Sequence, residues 1–270
     1  MTLPAPTTDA GRAGLAALLT APSRALVALD FDGTLAPIVA RPEDARPLPA
    51  TLDVLRAVGQ KFGHVAIVTG RPADWLVDVA GLGDIPGLVI AGQYGAQRWA
   101  AGELREADPA PGLAAVREGL PGLVIGRQAR IEDKRLSIVV HTRGVDHPDA
   151  ELAALAAPIR ALAVQHGLAA HRGRAVVEIR PPGFDKGRAL TVLVEEHDAS
   201  AVLFIGDDLG DLPAFTAVEA LRAGGRPGLT VCSGSTEVTE VAERADLVVD
   251  GPEGVVDLLT ALVAATPPPA

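Results

Sequence analysis

Short, unbroken apolar runs separated by stretches of helical character set the rhythm of this chain. Leu26 to Asp30, Val65 to Thr69, Leu88 to Ala91, Ala201 to Gly206, Leu229 to Cys232 and Leu247 to Asp250 each read as a strand, and each leads into a helical segment. A strand that is apolar at every position is covered on both faces, so the pattern predicts a parallel sheet with helices on either side. Proline marks helix starts at Pro49, Pro72 and Pro213, where its fixed φ suits the first turn. Between about Leu104 and Arg180 the rhythm changes. There Arg130 to Glu132 and Leu136 to His141 read as alternating strands, Asp149 to His166 as a helix and Ala175 to Ile179 as a further strand. Asp108-Pro109-Ala110-Pro111-Gly112 and Arg180-Pro181-Pro182-Gly183 flank this stretch as hinges. The expected class is α/β: a parallel-sheet core of residues 1–103 and 181–270, interrupted by an α+β unit over 104–180. Residues 1–11 and 266–270, rich in Pro, Thr and Ala, are expected to be disordered.

Composition narrows the class without changing the fold. With 270 residues, 48% of them apolar and a mean hydropathy of +0.26, the chain has ample material for a buried core. Its net charge of −10 argues against general binding to nucleic acid or an anionic membrane. An anionic substrate would need a local cationic patch, which is feasible because distant charges are screened beyond about 8 Å. The single cysteine, Cys232, lies in a strand-like run and reads as core, which fits a reducing cytoplasm. Arg12 followed by residues 14–19 has the outline of a short signal peptide and equally of a first helix, with Asp9 ahead of it. No run approaches the roughly 20 apolar residues that span a membrane.

Candidate chemistry gathers at strand ends. In Asp30-Phe31-Asp32-Gly33-Thr34, two carboxylates two residues apart leave a strand on the same side, and Gly33 lets backbone N–H groups approach an anion. This reads as covalent phosphoryl transfer, with Asp30 the nucleophile and Asp32 the general acid and base. Thr69-Gly70-Arg71 precedes a proline-started helix, where free N–H groups and the helix dipole attract phosphate. Thr69 would hold a phosphate oxygen, with Gly70 and Arg71 beside it. Lys186 opens an amphipathic helix, where a cation is unfavourable unless an anion faces it. Gly206-Asp207-Asp208-Leu209-Gly210-Asp211 adds three acids, which would repel Asp30 and Asp32 without a counter-ion. Mg²⁺ resolves that repulsion, with Asp30, the Asp32 carbonyl and Asp207 as ligands and Asp208 or Asp211 behind them. Taken singly, each motif has an ordinary reading as a turn, a helix cap or a surface lysine.

In this order and at these strand ends, the four motifs resemble those of the haloacid dehalogenase-like phosphohydrolases. The resemblance covers about residues 25 to 260. It implies a Rossmann-like core, roles for Asp30, Asp32, Thr69, Lys186 and Asp207 as above with a neighbouring acid at Mg²⁺, and a mobile cap for the inserted segment. That segment alternates acids with Lys, His and Arg, which suits a polyhydroxylated ligand as well as a solvated strand face. Its Glu132, Lys134, Ser137, His141 and Arg143, followed by Arg172, Gly173, Glu178, Arg180 and Pro181 before Lys186-Gly187, look like the cap motifs of trehalose-6-phosphate phosphatases. That similarity implies sugar recognition by Glu132, Lys134, His141, Arg143 and Glu178, with Arg or Lys reaching the phosphate and Arg172 and Arg180 also among the substrate-binding residues. Arg174 lies in the same cationic stretch. The chain departs from the family at Tyr94, where histidine often stands, and at Gly210 and Leu212, where Thr and Glu are usual. The implied substrate is trehalose 6-phosphate; the alternatives are another sugar phosphate, a mutase reaction or a silent sugar-phosphate sensor. A trehalose-phosphate synthase is a conceivable partner for which no segment argues.

Overall fold

The computed structural model describes residues 2–39, 41–173, 175–234 and 239–267. The chain divides into two units, Met1–Arg105 with Asp185–Ala270, and Glu106–Phe184.

The first unit begins with α1 (Asp9–Thr20), β1 (Ala25–Leu29), α2 (Pro49–Lys61), β2 (His64–Val68), α3 (Ala73–Asp78), β3 (Leu88–Gly92) and the edge strands β4 (Gln97–Ala100) and β5 (Glu103–Glu106). After the inserted unit, which carries α4 (Gly112–Val124), β6 (Arg130–Asp133), β7 (Ile138–His141), α5 (Pro148–Gln165), β8 (Ala169–Gly173) and β9 (Val176–Arg180), the first unit resumes. It continues as α6 (Lys186–Glu196), β10 (Ala201–Gly206), α7 (Leu212–Ala223), β11 (Gly228–Gly234), α8 (Thr239–Arg244), β12 (Leu247–Asp250) and α9 (Gly251–Ala265). Its eight strands run in the order β12-β11-β10-β1-β2-β3-β4-β5, parallel from β12 to β3, with β4 antiparallel to β3.

Strand alternation divides the core into two layers. Val27, Leu29, Leu203 and Ile205 face a cluster that holds Leu18 of α1, Leu55 and Val58 of α2 and Leu259 of α9. Leu26, Ala28, Val202 and Phe204 face the opposite cluster, built on Leu190 and Leu193 of α6 and Phe215 and Val218 of α7. This two-sided burial is why the strands read as continuous apolar runs. Strand order reverses at β1, which lies between β10 and β2, and ligands of such sheets bind at the carboxyl ends of the strands beside the reversal. The β4–β5 hairpin was not apparent in the sequence, because two four-residue strands are too short for a period to show.

The N-terminal residues depart from expectation. Residues 2–11 are ordered rather than disordered: the Thr8 hydroxyl caps α1 by accepting from Gly11 N at 2.9 Å, and Thr7 N donates to Asp246 O at 2.7 Å. Thr266 is likewise buried and hydrogen-bonded to the end of α9, while Met1 and residues 268–270 lie outside the described residues. The buried Asp246 carboxylate accepts from the Thr8 hydroxyl, from Thr230 N at 2.8 Å and Thr230 Oγ1 at 2.9 Å, and from Arg222. Burial raises its pKa, but these donors together outweigh burial and hold it below the usual carboxylate value. A depressed folded-state pKa contributes stability above the unfolded pKa, near 3.9, and that stability is lost as pH falls through the folded value. We therefore expect Asp246→Asn to lose about 3 kcal/mol at pH 7 in urea denaturation, with the gap to wild type narrowing below about pH 4.

The second unit is an antiparallel sheet, β6-β7-β9-β8, with α4 and α5 on one face. Ile138, Val140, Val177 and Ile179 point to Leu113, Val116, Leu155 and Ile159 of those helices. The opposite face is polar. In register across it lie Glu132, Val139, Glu178 and His171, with Lys134, Ser137, Arg180 and His141 two positions along their strands. Neither α4 nor β8 was expected: Gly119, Pro121 and Gly122 interrupt the helical pattern of α4, and β8 is half-exposed or exposed along its length. Among the described residues no helix is long and apolar enough to cross a membrane.

Candidate active site

Asp30 follows the last residue of β1, and its backbone N–H still donates to Ile205 O of β10 at 2.9 Å. The next turn brings Asp32 out at the same sheet edge, half-buried, while Phe31 enters the core. Gly33 has φ +73°, and a Cβ there would lie 2.0 Å from Asp207 Oδ2, so only glycine lets β1 and β10 bring Asp30 and Asp207 together.

Lys186, the first residue of α6, joins the group from below. Its Nζ lies 2.9 Å from Asp30 Oδ1 and 2.7 Å from Asp211 Oδ1, and all three side chains are buried. Asp211 Oδ2 accepts from Asp207 N at 3.0 Å and Asp208 N at 3.2 Å, so both of its oxygens are committed. The Asp208 carboxylate, expected with Asp211 at or behind the metal ligands, caps the following 3₁₀ turn through Gly210 N at 2.8 Å. Among the described residues, the acids whose oxygens converge within 4.8 Å are Asp30, Asp207 and Asp211.

The electrostatics of this cluster are unbalanced. Burial raises the Asp30 pKa well above the carboxylate value; Lys186 opposes the shift, and the charges of Asp211, Asp208 and Asp32 reinforce it. Burial, then Asp30, Asp211 and Asp208, push Asp207 up to about 10. Burial works against the charge on Lys186, but Asp211 and Asp30 outweigh it and raise its pKa. Asp207 Oδ1 is also buried without a hydrogen-bond partner. An orphaned oxygen among crowded, desolvated carboxylates fits a hard divalent cation taking oxygen ligands. Cys232 beside them has its thiol pushed up to about 11, by burial first and then by Asp207 and Asp211, which leaves it inert as a nucleophile.

Asp32 has a different partner. Arg71 donates to both of its oxygens, Nε to Oδ2 and Nη2 to Oδ1, each at 2.7 Å. The guanidinium lies 4.1 Å from the Trp75 ring centroid and 5.5 Å from that of Phe31. Arg71, expected at the substrate phosphate, is thus engaged by the acid/base candidate, and Trp75 is its unforeseen support one helical turn along. The Thr69 hydroxyl accepts from Arg71 N at 3.2 Å, which closes the Thr69-Gly70-Arg71 turn.

On the polar face of the second unit, Glu178 is buried. Its Oε1 accepts from Ser137 Oγ at 2.8 Å and lies 3.6 Å from Lys134 Nζ, and its Oε2 lies 3.4 Å from Arg180 Nη1. Glu132 Oε2 and His141 Nε2 are 2.6 Å apart, and this hydrogen bond, against burial, lowers the Glu132 pKa. Arg143 and Arg172 are exposed, and Arg174 lies outside the described residues. Ser137, named with the cap motifs, lies on this face, and His171 joins it without having been singled out; the two-residue alternation about its register partner Glu178 is the signal that places it.

A family model described as trehalose-phosphatase matches residues 28–253. The chain belongs to the trehalose-phosphatase family. A curated trehalose-phosphate phosphatase of Mycobacterium tuberculosis is 31% identical over 249 residues, covering 86% of this chain and 59% of its own length. An uncharacterised glycosyl hydrolase of the same species is 36% identical over 215 residues, 74% of this chain and 16% of its own. This trehalose-phosphatase family member thus spans less than two thirds of the length of these curated relatives, 59% of one and 16% of the other. In fold it resembles the C-terminal domain of Candida albicans trehalose-6-phosphate phosphatase, with a TM-score of 0.77 and 20% identity over 98% of this chain and 99% of that one. A haloacid dehalogenase-like hydrolase from Bacteroides thetaiotaomicron shares the architecture, with a TM-score of 0.60 and 16% identity over 87% and 98%.

Proposed function

We propose that this family member hydrolyses trehalose 6-phosphate to trehalose and inorganic phosphate, with Mg²⁺ as its resident metal. The observation that carries the reading is the buried Lys186, which pins the Asp30 carboxylate at the end of β1 while Asp32, two residues on, remains half-exposed. Fixed by that lysine, Asp30 attacks phosphorus in line and the ester bond breaks. Asp32 supplies the proton that the departing sugar oxygen takes up, leaving trehalose and an aspartyl phosphate. Asp32 then removes a proton from water, whose oxygen attacks the same phosphorus, releasing phosphate and restoring Asp30. Each Asp32 oxygen takes one hydrogen bond from Arg71, which leaves a second lone pair for proton transfer. Thr69 and the Gly70 amide hold phosphate oxygens, and Lys186 offsets their charge. Asp30, the Asp32 carbonyl and Asp207 would hold Mg²⁺, with Asp211 orienting the loop; when bound, the ion neutralises phosphoryl charge.

The sugar reading rests on the inserted unit. Carboxylates accept from hydroxyls, and Lys, His and Arg donate, so Glu132, Lys134, His141, Arg143, Arg172, Glu178 and Arg180 form a set suited to a polyol phosphate. We expect Glu178→Gln to raise KM for trehalose 6-phosphate by about 10–100-fold, because a buried acceptor is lost, while kcat/KM for p-nitrophenyl phosphate stays within about threefold. The lone, buried Cys232 supports a reducing, cytoplasmic setting.

The test is phosphate release with Mg²⁺ from trehalose 6-phosphate, sucrose 6-phosphate, glucose 6-phosphate and p-nitrophenyl phosphate, with Asp30→Asn as blank. Preference for trehalose 6-phosphate supports both units' roles. Equal rates across the panel would retain the phosphatase and discard the sugar assignment, and no release from any ester would discard both.

A further inference from the structure

The loop after β3 adopts a conformation that its residues do not favour. Gln93 has φ 45° and Tyr94 φ 58°, and Gly95 follows at φ 89°. Two successive non-glycine residues in the left-handed region persist only where their surroundings over-determine them. Tyr94 N donates to Thr69 O and Gln93 N to Arg71 O, both at 2.9 Å, and Gln97 Oε1 accepts from Ala73 N at 2.8 Å. The half-buried Tyr94 ring itself lies on Gly70: a Cβ there would fall 2.6 Å from the phenolic oxygen and 2.8 Å from Cζ. On its other side the loop abuts α6, where a Cβ on Gly95 would come within 3.1 Å of Ala189 Cβ. The loop therefore touches both the Thr69-Gly70-Arg71 turn and the helix that begins with Lys186.

We propose that Tyr94 is a positioning residue, whose ring pins the Thr69-Gly70-Arg71 turn so that the Thr69 hydroxyl and the Gly70 amide face a bound phosphate. The inference deepens the phosphatase reading and rests on it. The ring's contact is with Gly70, the middle residue of that turn. Left-handed strain at two positions is tolerated because the turn it supports does the binding. Displacing such a turn by a fraction of an ångström loses binding and turnover together, without unfolding the sheet behind it.

The probe is inorganic phosphate, titrated calorimetrically into the Mg²⁺-loaded protein, beside kcat/KM on p-nitrophenyl phosphate and the thermal midpoint. Tyr94→Phe keeps the ring and is expected to stay within about threefold of wild type in both readings. Tyr94→Asn tolerates the left-handed backbone but lacks the ring. It is expected to weaken phosphate binding about 10-fold and lower kcat/KM about 10–100-fold, with the midpoint within about 3 °C. Gly70→Ala, which forces the ring aside, should match Tyr94→Asn, and the double variant should be no worse than either alone. Wild-type phosphate affinity in Tyr94→Asn would overturn the proposal. So would equal losses in Phe and Asn, which would assign the role to the hydroxyl, or multiplying losses in the double variant. Should Tyr94→Asn fail to fold, Tyr94→Phe and Gly70→Ala still decide between ring and hydroxyl. If the wild type cleaves no ester, the phosphatase reading falls, and the phosphate titrations alone still test the support of the turn.

Discussion

Asp30→Asn is expected to lower turnover on any phosphate ester by about 10⁴–10⁶-fold, to the level of residual binding and electrostatics. The substitution is isosteric and leaves an oxygen for Lys186, so shape and one hydrogen bond survive, but the amide cannot carry the phosphoryl group. Stability should move the other way. Asp30 and Asp207 are both pushed up by burial and by their neighbours' charges, and removing one carboxylate relieves that repulsion. Without metal, the variant should melt at or above the wild-type temperature. A variant both inactive and less stable would place Asp30 in a structural role.

Lys186→Met has the largest expected combined effect. Nζ bridges Asp30 and Asp211 at 2.9 Å and 2.7 Å with all three side chains buried, and methionine fills the volume without the charge. Removing one partner of a buried ionic group costs about 3–5 kcal/mol, because the carboxylates left behind stay desolvated. Urea denaturation at pH 7 reads that loss directly; burial pushes Asp211 up and Lys186 holds it to about 6, so without the lysine Asp211 takes up its proton at higher pH, and the loss should shrink as pH falls toward 6 and level off below it. Activity should fall about 10²–10³-fold beyond what unfolding explains, since a fixed positive charge at the transferring group is gone. Lys186→Arg is not expected to restore it, because a planar guanidinium cannot place one donor between two buried carboxylates in the space of an ammonium.

The features legible in the sequence are those that burial enforces. β1 and β10 are buried at every position, so their apolar runs continue to the carboxyl edge of the sheet, and Asp30 and Asp207 stand at those ends. The spacing of Asp30 and Asp32 follows from alternation alone. The relation of Asp32 to Arg71 was hidden, because it depends on Leu29 pairing with Ile67 so that two strand ends 39 residues apart share an edge. Asp208 and Asp211 could not be told apart by spacing: only the 3₁₀ turn between them sends one to a cap and the other inward to Lys186. In the inserted unit, alternation revealed β6, β7 and β9. The prolines and glycines of α4 masked a helix whose stability comes from Leu113, Val116 and Leu120 packing on the sheet.

The covalent route through Asp30 is tested most directly by the stereochemical course at phosphorus. The substrate is trehalose 6-phosphorothioate made chiral with oxygen isotopes, hydrolysed in isotopically labelled water by the Mg²⁺-loaded protein. Two in-line displacements, one by Asp30 and one by water, predict net retention of configuration in the released thiophosphate. Inversion would mean that water attacks the ester directly, and would contradict the role of Asp30 as nucleophile.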